Sequence, residues 1–381
     1  MIVHSWIDQE TIHYTFFSDR ERIAELPTAF IKAKAFRLAK KSLEVYARRL
    51  RDYCHFLEYH HAYRIVEVDN ALKNTSLMLI EDFLKQLNSR GLSSSTIRGY
   101  EITIREFCKW LSSNQSGNIL KKDIYAGQTF LTKSPSTRLP ALINAEKVIN
   151  LIKCLNFEEH RLIAHFIYDT GLRISEVPRV LKSDIPNPMD FERDVMYFPL
   201  LVSGSKGKGN QFKERITIIS RALINRINKY HNSKVYLKNY TKHKLRSRNN
   251  TDIDHPAFLN TQGNPLSIDA IENFLRDASF RANIKISSHL LRHGTAYSVL
   301  RSEYGQSMLD NLIIAQKVLG HADISTTEIY TRVPAAALVK GKKSDSDNPI
   351  FFRFEESQRI FEETFLKTNS HSRKRRQDNK N

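Results

Sequence analysis

Four short segments of the sequence carry side chains that could act on a phosphate group. The first is Thr170 to Val177, in which Arg173 follows the helix breaker Gly171 at the start of a helical pattern. A guanidinium there adds its charge to backbone N–H groups that already face outward, which makes a good phosphate clamp. The alternative is a simple ion pair between Arg173 and Glu176, because arginines commonly pair with an acid nearby.

Lysines mark the second segment, where the glycines between Gly204 and Asn210 predict a turn. Lys206 and Lys208 lie in this turn and Lys213 follows it. An ammonium on a flexible stem at a loop tip can donate a proton to a leaving oxygen, although most loop lysines only interact with water. All three therefore remain candidates for a general acid.

The third segment, His289 to Gly294, predicts a helix that carries His289, Arg292 and His293 on neighbouring turns of one side. The two histidines have the spacing of a helical zinc pair. However, Leu290 stands where the metalloprotease motif requires a glutamate base. We therefore expect no metal at this site.

The fourth segment runs from Leu319 to Val333 and places Tyr330 nine residues after His321. A tyrosine at such a position is usually a core or rim aromatic rather than a nucleophile. The order of the four segments changes this interpretation, because together they read Arg, Lys, His-x-x-Arg, Gly-His and Tyr.

With these motifs the sequence resembles the tyrosine recombinase family, the phage-type integrases, over roughly residues 30 to 335. The resemblance implies that Arg173 and Arg292 hold the scissile phosphate, Tyr330 is the nucleophile, and Lys208 is the general acid. His289, as the better candidate for the base, and His321 would complete the pocket. Because the run after Lys208 is looser than in the family, Lys206 or Lys213 could replace it.

The resemblance also implies a reaction that needs neither metal nor cofactor. Paired guanidinium groups can hold the charge that develops on the non-bridging oxygens, as a divalent cation otherwise would. A covalent 3′-phosphotyrosine conserves the energy of the broken bond, so a 5′ hydroxyl can reseal the strand without ATP.

Composition restricts the class of protein before any motif is considered. The chain has 381 residues, a net charge of +18 and 41% hydrophobic residues. This length predicts two domains, and the charge predicts a polyanionic partner. Three scattered cysteines favour a reducing compartment, and the absence of an apolar run of about 18 residues argues against a membrane span. We expect a cytoplasmic protein whose partner is nucleic acid.

Periodicity predicts the elements that must position these side chains. Helices are expected at 76–88, 94–113, 145–155, 160–168, 269–282, 290–301, 309–319 and 325–332, and a hairpin from strands 195–202 and 215–219. The predicted fold is mainly α with a small β hairpin. The resemblance adds a SAM-like helical core-binding domain and a catalytic domain that together form a clamp on DNA. The predicted boundaries are an extension at 1–28, the core-binding domain at 29–114, a linker at 115–138, the catalytic domain at 139–335, and a C-terminal helix and basic tail at 336–381.

Two segments carry an excess of positive charge. Between residues 32 and 51, which we expect in a single helix, eight bases face one acid, and residues 229–248 hold seven bases, no acid and three tyrosines. A solvated helix face usually mixes both signs, so such an excess is better suited to phosphates. We interpret both as DNA-contacting surfaces, the second as an addition to the family pattern. A lengthened loop is expected around residues 303–308.

Beyond Tyr330, residues 349–368 predict a helix with a stripe of phenylalanines, and Arg373 to Arg376 predict a disordered basic tail. Most such stripes pack on their own chain. Because the C-terminal helix of this family is often donated to a neighbouring subunit, docking in trans is an alternative.

The resemblance predicts site-specific recombination or integration on double-stranded DNA, by an integrase or transposase of a mobile element. We expect a dimer on each site, a tetramer at synapsis, and accessory DNA-bending or partner recombinase proteins as further candidates. Three alternatives remain open: a chromosome-dimer-resolving recombinase, a type IB topoisomerase, and a DNA-binding regulator that has lost catalysis.

Overall fold

The structure is a computed structural model that describes residues 1–8, 11–63, 65–134, 143–206, 212–246, 255–302, 308–321, 327 and 350–367. These residues form two compact units, one from the described residues up to 134 and one from those between 143 and 367. Each unit has its own hydrophobic core. The described chain is mainly helical with two small antiparallel sheets, which confirms the predicted fold class.

Five helices build most of the first unit. They are α1 (Glu25–Ala35), α2 (Lys40–Tyr59), α3 (Val68–Lys73), α4 (Leu77–Ser89) and α5 (Ser94–Leu111). The predicted helices at 76–88 and 94–113 are confirmed. The Ser93 hydroxyl accepts a hydrogen bond from the Thr96 N–H at 3.2 Å and so begins α5 as an N-cap. Fully buried side chains such as Leu50, Tyr53 and Phe107 form the core.

The prediction of a single helix across residues 32–51 is wrong. The chain leaves helical geometry after Ala35, and Phe36 is 84% exposed before α2 begins. No glycine or proline marks this break in the sequence. The break has a tertiary cause, because α1 packs against both α2 and the N-terminal sheet and must turn back to do so.

That sheet was also missed by the sequence pattern. Strands β1 (Ile2–Asp8), β2 (Thr11–Phe17) and β3 (Ile23–Ala24) pair antiparallel in the order β1-β2-β3. Phe16 is fully buried and joins the core of the first unit. The hairpin lacks the Asn-Gly or Asp-Gly turn that would have identified it.

Part of the stretch expected as a linker packs on α5. The buried Glu101 carboxylate accepts hydrogen bonds from the backbone N–H groups of Leu131 at 2.5 Å and Thr132 at 2.9 Å. The Arg98 guanidinium lies 3.4 Å from the ring centroid of Phe130. These contacts fix the chain to the first unit as far as Thr132.

The second unit begins with α6 (Ala145–Lys153) and α7 (Glu158–Thr170), followed by strands β4 (Tyr197–Lys206) and β5 (Phe212–Ser220). The strands pair antiparallel, with a register shift between Val202 and Ser205, so the predicted hairpin is confirmed. Gly171 ends α7 in the left-handed conformation at φ 65°, as its position in the sequence predicted.

Six further helices complete the described part of this unit. They are α8 (Arg221–His231), α9 (Lys234–Arg246), α10 (Ile268–Arg281), α11 (Ser288–Arg301), α12 (Met308–Leu319) and α13 (Ile350–Thr364). The three helices predicted between 269 and 319 are confirmed. The predicted helix at 325–332 apart from Thr327, nearly all of the expected loop at 303–308, and the basic tail lie outside the described residues.

The interpretation of residues 229–248 needs one correction. Tyr230 and Tyr236 are buried in the core of the second unit, so they do not belong to an exposed DNA-contacting surface. An amphipathic helix must bury one face, and here aromatic rings supply it. Lys234, Lys238 and Lys244 remain exposed on α9. None of the described helices is long and apolar enough to cross a membrane.

Candidate active site

Arg173 lies just past the end of α7 and is held by Glu176. Its backbone N–H donates to Glu176 Oε2 at 2.7 Å, and its Nη1 donates to Oε1 at 3.2 Å. The Arg173 side chain is nevertheless 38% exposed, whereas that of Glu176 is 1% exposed. The ion pair and an open guanidinium therefore coexist, although the sequence suggested them as alternatives.

Arg292 on α11 connects the ends of two helices. Its buried guanidinium donates through Nη1 to the carbonyl oxygen of Gly171, after α7, and through Nη2 to that of Leu319, the last residue of α12. Both helix ends carry partial negative charge on free carbonyls, which favours a cation between them. Arginine suits this position because its planar guanidinium presents two separate donor nitrogens, whereas the single ammonium of a lysine could not donate to both carbonyls with the same geometry.

Three consecutive carbonyls at the end of α12 each accept a hydrogen bond from a different arginine. The pairs are Val318 with Arg215 Nη1 at 2.7 Å, Leu319 with Arg292, and Gly320 with Arg173 Nη2 at 3.2 Å. Three guanidinium groups are thereby gathered around one helix end, with Glu176 as the neighbouring carboxylate. The cluster carries excess positive charge where a phosphate could bind.

The end of α7 is capped from several elements at once. Thr295 on α11 donates to the Tyr168 carbonyl at 2.6 Å, and Thr217 on β5 donates to that of Thr170 at 2.8 Å. Arg353 on α13 donates to the carbonyl of Asp169. The position of Arg173 thus depends on residues far away in sequence.

Three histidines lie beside these arginines. The ring centroids of His289 and His293 are 4.2 Å apart on α11, and His321 Nδ1 lies 2.9 Å from the Thr327 hydroxyl. Burial, followed by the charges of Arg292 and Arg173, lowers the pKa of His289 and lowers that of His321 to about 4. Burial also lowers the pKa of His293 to about 4. All three rings are therefore neutral at pH 7, and a neutral imidazole can accept a proton.

Two of the predicted site residues are not placed. Lys208 and Tyr330 lie outside the described residues, and for Lys206 and Lys213 the structure describes only the strand backbone. The other four predicted residues, Arg173, His289, Arg292 and His321, lie together.

Sequence reasoning missed Arg215 and the two capping threonines, Thr217 and Thr295. Residues 215, 217 and 219 of β5 alternate with the exposed residues 214 and 216. The period of two in this strand could have identified Arg215 as an inward-facing charge.

Comparison with known proteins agrees with this geometry. The model of the phage integrase family matches residues 141–336, more than half of the chain. Tyrosine recombinase XerD of Staphylococcus aureus is 28% identical over 312 residues, which cover 80% of this chain and 91% of that protein. The chain belongs to the phage integrase family. Members of this family, the tyrosine recombinases, cut and rejoin DNA strands.

Solved structures share the fold. The XerH site-specific recombinase, in a post-cleavage complex with difH substrate, superimposes with a TM-score of 0.58 at 20% identity over 84% of this chain and 83% of that one. A lambda integrase dimer bound to a COC′ core site gives 0.58 at 15% identity over 84% and 97%. The Tn1549 transposon integrase gives 0.53 at 13% identity over 84% and 99%.

Proposed function

We propose that this protein is a site-specific DNA recombinase that acts through a covalent 3′-phosphotyrosine at Tyr330. One structural observation supports this proposal in addition to the family membership. Arg173 and Arg292 are fixed on the carbonyls of two helix ends beside neutral His289 and His321. Preorganised donors of this kind stabilise the charge that a phosphodiester develops in the transition state.

In the proposed reaction the Tyr330 phenol oxygen attacks the scissile phosphorus, and the bond from phosphorus to the 5′ oxygen breaks. His289 accepts the phenol proton, and Lys208 donates a proton to the departing 5′ oxygen. Arg173 and Arg292 hold the non-bridging oxygens, and His321 positions the phosphate. Attack by a 5′ hydroxyl on the phosphotyrosine reverses these steps and reseals a strand, so no ATP is consumed.

Double-stranded DNA is the proposed substrate. XerH and lambda integrase were solved bound to their DNA sites, and the charge of +18 suits a polyanion. In the first unit we assign the core-binding role to residues 29–114, with the exposed Arg48 and Arg90 as phosphate contacts. In the second unit, residues 139–335 form the catalytic domain, and the exposed lysines of α9 extend its DNA surface.

The biological role we propose is that of an integrase or transposase of a mobile element, acting in the cytoplasm as a dimer on each site and a tetramer at synapsis. The likeness to XerD over 80% of the chain favours a second candidate, a chromosome-dimer-resolving recombinase. Both roles use the same site and chemistry.

Covalent trapping tests the proposal. The purified protein is incubated with a duplex library, in EDTA and without ATP, and protein-linked DNA is isolated under denaturing conditions and sequenced. We expect adducts at one defined sequence for the wild type and none for Tyr330→Phe, which should still retain that sequence in a native binding assay.

Four outcomes would contradict the proposal. An adduct that survives in Tyr330→Phe would place the nucleophile elsewhere, and a need for Mg²⁺ would rule out the metal-free clamp. Sequence-specific binding without any adduct from the wild type would identify a silent regulator. Relaxation of a supercoiled plasmid that lacks the recovered sequence would instead indicate a type IB topoisomerase.

A further inference from the structure

Arg215 on β5 is a third arginine of the site, and the family motifs quoted above do not include it. Its Nη2 donates to Glu176 Oε2 at 2.9 Å, its Nε lies 3.4 Å from Oε1, and its Nη1 donates to the Val318 carbonyl at 2.7 Å. The side chain is 10% exposed, so little of it is open to a ligand. All three of these contacts are made to protein groups.

We propose that Arg215 is a positioning residue, which holds Glu176 and the end of α12 in place and thereby sets the position of Arg173. This inference rests on the proposed function, because it concerns the same phosphate clamp. Arg215 acts through Glu176 and does not touch the phosphate itself.

Arg173 and Arg215 share the carboxylate of Glu176. Both of its oxygens serve Arg173 and Arg215 together, and burial, which alone would raise the pKa of Glu176, is outweighed by these two arginines. Without Arg215 the buried carboxylate would have Arg173 as its remaining ionic partner. The exposed guanidinium of Arg173 would then be drawn towards Glu176 and away from a bound phosphate.

Arg215 also packs closely against Gly320. Gly320 has a φ of 60°, and a Cβ atom there would lie 2.5 Å from Cδ of Arg215. The stem of Arg215 therefore occupies the space that a side chain at 320 would need. This close approach fixes the residue that precedes His321, and the Gly320 carbonyl is the acceptor for Arg173.

His321 offers a readout that does not require catalysis. It faces the charges of Arg173, Arg215 and Arg292 and the rings of His289 and His293. Removing one of the three cations should make protonation of His321 easier and so raise its pKa. A change that only loosened the fold far from this cluster would leave that pKa unchanged.

The experiment compares Arg215→Gln and Arg215→Lys with a matched control, Arg221→Gln. Arg221 also donates to two backbone carbonyls, of Val195 at 2.8 Å and Glu192 at 3.0 Å, but it belongs to α8 and has no contact with the arginine cluster among those described. Three quantities are measured: the single-turnover rate of adduct formation on the recovered duplex, the Kd for that duplex, and the pKa of His321. The pKa comes from NMR of histidine-labelled protein, with His321→Asn to assign the signal.

We expect Arg215→Gln to lower the rate by about 10²-fold, because a displacement of about 1 Å at a clamp has that effect. The Kd should change less than about twofold, since a residue that does not touch the phosphate contributes little to the counterion release that dominates DNA affinity. The pKa of His321 should rise. Arg215→Lys keeps the charge but loses the separate guanidinium donors that bind Glu176 and the Val318 carbonyl. Its rate should therefore fall while the pKa of His321 stays at the wild-type value. This second variant also tests the inference if Arg215→Gln does not fold.

An Arg215→Gln rate equal to that of Arg221→Gln would overturn the inference. So would a loss of duplex affinity as large as the loss of rate, because Arg215 would then contact DNA itself. A wild type that forms no adduct would instead contradict the proposed function, while the pKa comparison would still test whether Arg215 belongs to the cluster.

Discussion

At the scale of single residues, the site combines permanent cations with neutral imidazoles. Arginine is effectively always protonated in proteins, so the clamp carries its positive charge at neutral pH. The same charges keep protons off the neighbouring histidines, since a cation disfavours a second cation nearby. One cluster can thus bind an anion and supply a base at neutral pH.

The pH dependence of cleavage should show this effect. The pKa values of His289 and His321 are lowered, so both rings remain deprotonated as the pH falls below the ordinary histidine value of 6.5. We expect the rate of adduct formation at subsaturating DNA, which reports on the free protein, to stay level down to pH 6.5 and to fall only below it. A decline that begins above pH 7 would contradict the lowered values, and Arg221→Gln should share the wild-type profile.

Four of the six predicted site residues lie together because each belongs to a local motif whose spacing is visible in the sequence. Arg173 follows a glycine, His289 and Arg292 share one helix, and His321 follows Gly320. Arg215 could not be singled out in this way. Its role depends on the approach of β5 to the end of α12, which is a contact across about a hundred residues of chain.

At the scale of elements, α13 is bound to its own chain by polar as well as apolar contacts. It packs against α6, α7 and α8. The fully buried Arg226 pairs with Glu158 at 2.7 Å and donates to the hydroxyl of Thr364, at the end of α13, at 2.8 Å. Docking of α13 on a neighbouring subunit on DNA stays a prediction. Such docking would require the buried contacts of Arg226 with Glu158 and Thr364 to break and to form again between subunits.

Arg226→Met should destabilise the second unit strongly. It leaves the carboxylate of Glu158, which is 4% exposed, without its charged partner, and loss of one member of a buried pair costs about 3–5 kcal/mol of unfolding free energy. Denaturant unfolding measures this difference. Arg359→Met is the control, because Arg359 forms an exposed pair with Glu363 on α13 and should cost less than about 1 kcal/mol.

The double variant Arg226→Met with Glu158→Gln separates charge burial from packing. It should recover part of the loss, because no uncompensated charge remains. Equal losses for Arg226→Met and Arg359→Met would mean that the buried pair does not hold this region together.

Helices with strong periodicity could be predicted well, because burial of one face repeats every three to four residues. The helices at 77–89, 94–111 and 268–281 are examples. The break after Ala35 and the N-terminal sheet could not, since both depend on packing between elements and neither contains a glycine to mark it. The hairpin of β4 and β5 was predictable because two apolar stretches, at 195–202 and 215–219, flank a glycine-rich segment of the sequence.

At the scale of the whole molecule, positive charge is present on both compact units. Arg48 and Arg90 belong to the first unit, and the lysines of α9 belong to the second. Each unit has a separate core, so a charge change on one surface should not alter the packing of the other. The contribution of each surface to DNA binding can therefore be measured by itself.

The salt dependence of duplex binding should measure the α9 surface directly. Lys234 and Lys238 are exposed and four residues apart, which places them on one face of the helix. Each lysine that neutralises a phosphate contributes about 0.9 to the slope of log affinity against log salt. Replacing both with glutamine should therefore lower the magnitude of the slope by about 1.8, measured by titration at several salt concentrations.

The matched control is Lys85→Gln, an exposed lysine of the first unit that already pairs with Glu81 at 3.2 Å and lies near Asp82. Because neighbouring carboxylates neutralise the charge of Lys85, the Lys85→Gln variant should leave the salt slope unchanged. The rate of adduct formation at saturating DNA should be the same in all variants, since the role proposed for α9 is in binding and not at the bond that breaks. An unchanged slope in the double variant would remove α9 from the DNA interface and leave its lysines as a solvated helix face.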